Sequence, residues 1–187
     1  MHMSKNIVIT GMPGSGKGTQ ATLLASRLGI PHISTGDIFR DEMKRQTPLG
    51  ISITESMNAG KYTSDEITNA VVKNRLAQPD AADGYILDGY PRTVNQVAFL
   101  DEIGVDITHV IDLHIDPDLA LSRLLGRALE QARGDDTESV IRGRIDTYFK
   151  TVVPVLDIYK SRGLAEQVSA VGKIADINEE LYTLLTK

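Results

Sequence analysis

The chain has 187 residues, 41% hydrophobic and 24% charged, which suits one soluble globular domain and is too short for two ordinary ones. It has no cysteine, which excludes disulfides, thiolate metal sites and cysteine nucleophiles. A net charge of −5 argues against a polynucleotide partner, and the lack of an apolar run of about 18 residues argues against a membrane span.

Ile7–Thr10 is the first short apolar run and predicts a strand. A helix pattern follows Lys17, with Ala21, Leu24, Ala25 and Leu28 on one face, and stops at Gly29. His32–Ser34 is a second strand. Residues 36–63 lack a strong core pattern, are polar and include Pro48, Gly50 and Gly60, so they are expected to form a mobile insert. Ser64 has the side chain of an N-cap, with Asp65 and Glu66 in the first turn behind it. Tyr85–Asp88 and Val110–Ile115 are further strands, and Asp116-Pro117-Asp118 opens a helix with proline at its first position. Residues 126–136, rich in Gly, Arg and Asp, are a second candidate mobile segment. A long helix begins near Thr137 and runs toward Pro154, and Ala165–Val168 is a weaker fifth strand. Apolar runs alternating with helical patterns predict βαβ units and a parallel sheet.

The strongest chemical signal is Ile7-Val-Ile-Thr-Gly11-Met-Pro-Gly14-Ser15-Gly16-Lys17-Gly18-Thr19. A strand runs into a glycine-rich turn and a helix leaves it, which is the context a phosphate-binding loop needs. Glycines let backbone N–H groups face a ligand, the helix N-terminus adds partial positive charge, and Lys17 can bridge the β- and γ-phosphates. The strict pattern has Ser or Thr directly after the lysine; here Gly18 intervenes before Thr19. Asp88 ends a strand, and beside a phosphate loop such an aspartate orients Mg²⁺, directly or through water.

Phosphoryl transfer calls for alignment and charge neutralisation, and arginine's planar fork provides both. Arg123 and Arg127 are four apart and share one helix face. The helix after Thr137 carries an apolar stripe of Val140, Ile141, Ile145, Tyr148, Phe149 and Val152, and Arg144 falls inside it by angle. A charge on that side needs a partner, and periodicity leaves both a buried carboxylate and a substrate phosphate open. Read in isolation, Arg40, Arg92 and Arg133 are solvated surface residues.

Taken together, these residues make the chain resemble an adenylate kinase over nearly its whole length. Gly11 to Thr19 matches that family's form of the phosphate loop, which accounts for Gly18. Ser34-Thr35-Gly36-Asp37 with Arg40 resembles the start of the monophosphate-binding insert, and Asp88-Gly89-Tyr90-Pro91-Arg92-Thr93 with Gln96 resembles the family signature. Arg127, Arg133, Asp135-Asp136 and Arg144 match the lid and the helix after it. The resemblance implies an α/β fold of the P-loop NTPase type: a parallel five-stranded sheet flanked by helices, with core segments 1–33, 64–125 and 137–187, a monophosphate-binding insert at 34–63 and a short lid at 126–136.

It also implies roles. Gly14, Ser15, Gly16, Lys17, Gly18 and Thr19 would wrap the ATP phosphates, with Arg123 close by, Arg127 reaching ATP and Gly172 bordering its adenine. Thr35, Gly36, Arg40, the backbone of Lys61, Tyr62 and Thr63, Gly89, Tyr90, Pro91, Arg92 and Gln96 would hold AMP. Arg133 and Arg144 would clamp the transferring phosphoryl group and the AMP phosphate. Lys17, Arg92, Arg127, Arg133 and Arg144 would form the catalytic set, with Mg²⁺ entering with ATP near Asp88. The short lid lacks the metal-ligand cysteines of some members, so no structural zinc is expected. Tyr62-Thr63-Ser64 departs from the more usual Leu-Val-Pro. Thr35 and Gln96 are of the AMP-specific type, where UMP/CMP kinases usually carry alanine and asparagine.

The expected activity is reversible, Mg-dependent transfer of the ATP γ-phosphoryl group to AMP, giving two ADP, by a cytoplasmic monomer with no nucleic-acid or membrane partner. The competing readings are a kinase for another monophosphate such as UMP or CMP, a P-loop hydrolase or GTPase, and an inactive nucleotide sensor. No Asn-Lys-x-Asp guanine motif occurs, and the literal Asp-x-x-Gly at Asp101–Gly104 has no apolar strand before it.

Overall fold

The computed structural model describes residues 5–131 and 137–187; Arg133 and its neighbours at 132–136 lie outside the described residues. The strands are β1 (Lys5–Gly11), β2 (His32–Ser34), β3 (Gly84–Asp88), β4 (His109–His114) and β5 (Ala165–Ser169). All pair in parallel in one sheet of order β2-β3-β1-β4-β5. Ile7 of β1 faces Ile86 on one side and His109 on the other. From β1 the chain crosses to the edge strand β2, returns to β3 between them, then passes to the opposite side of β1 through β4 and β5. The reversal lies at the C-terminal end of β1, where an open α/β sheet leaves a crevice for a ligand.

The strands read as apolar runs because the sheet is covered on both faces. Ile7 and Ile9 enter one core cluster and Val8 the other. The first face packs against α1 (Lys17–Leu28) and α8 (Ile174–Thr186), through Ala21, Leu24, Ile177 and Leu181. The second packs against α5 (Val94–Glu102), through Val97 and Leu100. The long α7 (Glu138–Ser161) serves both: Ile141, Ile145 and Val152 join the first cluster, Val155, Leu156 and Tyr159 the second. Each fully buried side chain of this size is worth about 1.5–3 kcal/mol.

Local signals set most helix ends. Gly29 ends α1 in the left-handed region, at φ 69°, its N–H returning to Ala25 O. Ser64 caps α4 (Asp65–Leu76) and Thr137 caps α7, each side chain accepting a backbone N–H three residues on.

The structure departs from the sequence expectations in four places. Residues 36–63 are largely helical: α2 (Thr35–Lys44) and α3 (Pro48–Asn58) pack on each other, so that only Phe39 and Ile53 bury large apolar side chains. Helix α7 continues past Pro154, because the carbonyl that loses its partner there belongs to Lys150, on an exposed turn. Phe149, read as part of the α7 stripe, is 47% exposed and meets Tyr148 edge-on instead. Residues 126–131 continue α6 (Pro117–Gln131). Among the described residues no helix is long and apolar enough to cross a membrane.

Candidate active site

A cavity of about 560 Å³ opens at the C-terminal end of β1. Its first wall is the glycine-rich turn. Ser15 N–H donates to Met12 O at 3.0 Å, and Gly16 starts α1 from the left-handed region, at φ 82°. Gly14 has φ 88°, and a Cβ there would lie 2.7 Å from Ala120 O and 3.1 Å from the Leu124 side chain. Backbone conformation and the press of α6 therefore both require glycine at this point. The leading N–H groups of α1 have no partner within the helix and face the cavity end.

Lys17, the first residue of α1, is half-buried and lines the cavity. Burial pulls its pKa below the ordinary lysine value; Asp88 opposes this, and Arg92, Arg127 and Arg40 push it further down. Asp88 ends β3 and is 6% exposed. Burial raises its pKa, but the hydrogen bond from His32 and the charges of Lys17 and Arg92 outweigh that and hold the carboxyl below the usual range. His32 Nε2 lies 3.1 Å from Asp88 Oδ2, and His32 Nδ1 lies 3.2 Å from Thr22 Oγ1, whose hydroxyl donates to Gly18 O at 2.9 Å. Sequence reasoning missed this chain, which ties α1, β2 and β3 around the aspartate; its local trace is no more than a histidine at the start of a three-residue strand.

The opposite wall gathers the second set of predicted residues. Thr35 Oγ1 donates to Gly89 O at 2.9 Å, joining the ends of β2 and β3. Gly89 has φ 77°, and a Cβ there would come within 2.6 Å of Arg92 Nη2. The Tyr90–Pro91 peptide is cis, and the Arg92 guanidinium sits 4.6 Å from the centre of the Tyr62 ring, a cation–π contact. Arg40 pairs with Asp37 at 2.5 Å. Thr63 Oγ1 is buried and has no hydrogen-bond partner among the described residues. Gln96, 2% exposed, closes this end. Arg144 is half-buried and passes against Gly60, and Arg127 reaches the cavity from α6.

Among the described residues, Lys17, Arg40, Lys61, Arg92, Arg127 and Arg144 line the cavity against the carboxylates of Asp37 and Asp88. The site is thus strongly cationic in a chain whose net charge is −5, which fits a bound polyanion. Four predicted residues stand apart from its lining, and a fifth is not described. Ser15 is buried beside the turn, its Oγ without a partner among the described residues. Tyr90 is buried in the second core cluster, its hydroxyl donating to Asn69 Oδ1 at 2.6 Å. Arg123 donates to Ala170 O at 3.1 Å, tying α6 to the loop after β5, and Gly172 lies in that loop. Arg133 lies outside the described residues.

A sequence model of the adenylate kinase family matches residues 9–164. An adenylate kinase of Nocardioides sp. is 45% identical over 183 residues, covering 96% of this chain and 96% of that protein. One of Kocuria rhizophila is 46% identical over 97% of this chain and 98% of its own, and one of Bifidobacterium longum 45% over 96% and 98%. A match of that extent spans nearly the whole chain, and the chain belongs to the adenylate kinase family.

Proposed function

We propose that the chain transfers the γ-phosphoryl group of ATP directly to AMP, giving two ADP, with the glycine-rich wall holding ATP and the Thr35–Gln96 wall holding AMP. The observation that carries this reading is the convergence of a phosphate loop, six cationic side chains and a buried glutamine on one cavity. An oxygen of the AMP phosphate attacks the γ-phosphorus in line, and the bond from that phosphorus to the β–γ bridging oxygen breaks, leaving the electron pair on ADP. No general base is needed, because the attacking phosphate is already anionic. What this chain's residues supply is alignment, neutralisation of charge and exclusion of water.

The donor set fits Mg²⁺. Asp88 is held ionised with one oxygen against His32, and Thr19 puts a hydroxyl on the same rim. Both are hard oxygen donors. Mg²⁺ would be held largely through substrate phosphates and water, with these two side chains beside it. When bound, Mg²⁺ would neutralise charge on the β- and γ-phosphates.

The direct test is a coupled assay with ATP and each monophosphate in turn. AMP is expected to exceed UMP and GMP in kcat/KM by about 5- to 150-fold, the value of one buried base hydrogen bond, and to exceed CMP through the fit of the larger purine to the cavity. Equal kcat/KM for CMP and AMP overturns the assignment of AMP as acceptor.

Arg144→Ala is expected to lower kcat by about 10²-fold, the scale of removing one charge-stabilising donor, with little change in melting temperature. The motive is its place in the cavity wall, half-buried, rather than in the core. A large fall in melting temperature with near-normal kcat would instead assign Arg144 to neutralising a buried acid.

A further inference from the structure

The side-chain amide of Gln96 is gripped at both ends by groups that cannot exchange roles. Its Oε1 accepts the backbone N–H of Arg92 at 2.6 Å, and its Nε2 donates to Asp65 Oδ1 at 2.8 Å. A backbone N–H only donates and a carboxylate only accepts, so the two contacts allow one orientation of the amide and forbid the flipped one. Asp65 is itself held: Thr93 Oγ1 donates to it at 3.0 Å while accepting the Gln96 backbone N–H at 3.2 Å. The first residue of α4 and the cap of α5 are thereby joined around one amide. Asp65 is not part of the cavity lining; Gln96 is.

We propose that Asp65 is a positioning residue for base specificity, locking Gln96 so that the cavity accepts a 6-amino purine and rejects a 6-oxo purine. This rests on the reading of Gln96 as the residue that meets the AMP base. The locked amide keeps one N–H and one lone pair uncommitted, in a fixed order. Adenine matches that order, offering an acceptor at N1 and a donor at N6. Hypoxanthine and guanine reverse it, with a donor at N1 and an acceptor at O6. Against the locked amide they set N–H against N–H and oxygen against oxygen. An unlocked glutamine would turn over and serve either base. Cytosine shows the same donor and acceptor order as adenine, so the lock separates amino from oxo bases and leaves purine against pyrimidine to the shape of the cavity.

The test measures kcat/KM for AMP and IMP in the wild type, Asp65→Asn, Gln96→Ala and the double variant. Asparagine can accept or donate toward Gln96, so one of the two restraints is lost while the Arg92 N–H remains. The IMP-to-AMP ratio is expected to rise about tenfold in Asp65→Asn, one hydrogen bond's worth of discrimination, with no further rise when Asp65→Asn is placed on the Gln96→Ala background. A merely structural role would lower both substrates together and leave the ratio unmoved. If Gln96→Ala shifts the ratio and Asp65→Asn leaves it within twofold, the lock is wrong while the reading of Gln96 stands. If Gln96→Ala leaves the ratio unchanged, Gln96 does not read the base and the proposal falls with it. A shift from Asp65→Asn that persists without the Gln96 amide also overturns it. Circular dichroism accompanies each variant, and Asp65→Ser, whose hydroxyl also both donates and accepts, decides the same ratio should the asparagine variant not fold.

Discussion

Lys17→Met is expected to lower kcat by about 10²- to 10³-fold, the range seen when a group that stabilises developing charge is removed. Methionine keeps the length and apolar stem of the side chain, so the change isolates the ammonium. That ammonium has an unfavourable setting in the nucleotide-free protein: burial and the charges of Arg92, Arg127 and Arg40 outweigh the pull of Asp88 and depress its pKa. A base whose folded pKa lies below its unfolded value binds its proton more weakly in the fold. Carrying the charge at neutral pH therefore costs the empty protein stability, and the cost fades as pH rises from the folded pKa toward the unfolded one. The variant should melt at or above the wild type without nucleotide, and should gain less from ATP. Arginine should not restore the rate, because its wider planar fork does not replace a compact ammonium at the mouth of a glycine turn. Kinetics, circular dichroism and melting with and without ATP decide the matter. Activity within a factor of two of wild type would remove Lys17 from the mechanism.

The legibility of this protein in its sequence follows the range of the interactions involved. The sheet was legible because strands covered on both faces leave continuous apolar runs, and Tyr85–Asp88 differs from β3 only by Gly84. The glycine loop was legible because its chemistry is contiguous. Helices α2 and α3 were not, since they pack on one another and bury one large apolar side chain each, which leaves few core positions to read. Helix α8 has Ile177, Leu181 and Leu185 at regular spacing, but Lys173 makes no side-chain cap bond to announce its start. Arg144 was visible only as a charge at the wrong angle on α7, and its position in the cavity wall required the fold. The partners of the functional side chains were the least legible. His32 reaches Asp88 across 56 residues, and Asp65 reaches Gln96 across 31, so no local spacing encodes either contact.

With ATP alone the enzyme is expected to form ADP about 10³-fold more slowly than with AMP present, on the scale of losing charge-stabilising donors. Water is always available as an acceptor, so a site fully assembled by ATP would waste its substrate. The cations of the cavity are divided in a way that avoids this. Lys17 and the leading N–H groups of α1 belong to the glycine wall, while Arg40, Arg92 and Lys61 belong to the wall proposed for AMP. Arg40 is paired with Asp37 at 2.5 Å, and Arg92 lies over Tyr62. An anionic phosphate can draw both into the site by charge-assisted hydrogen bonds, and a neutral water molecule cannot. Loss of one or two such donors from the transition state accounts for the expected factor. Arg127, near the end of α6, is placed to follow the same recruitment, and closing that end over the phosphates would also exclude solvent. The rates of ADP formation from ATP with and without AMP give the ratio directly. Amide exchange at residues 126–131 should slow more with an analogue of two linked adenosines than with ATP. A hydrolysis rate equal to the transfer rate would show that ATP alone completes the site, and would return the chain to the hydrolase reading.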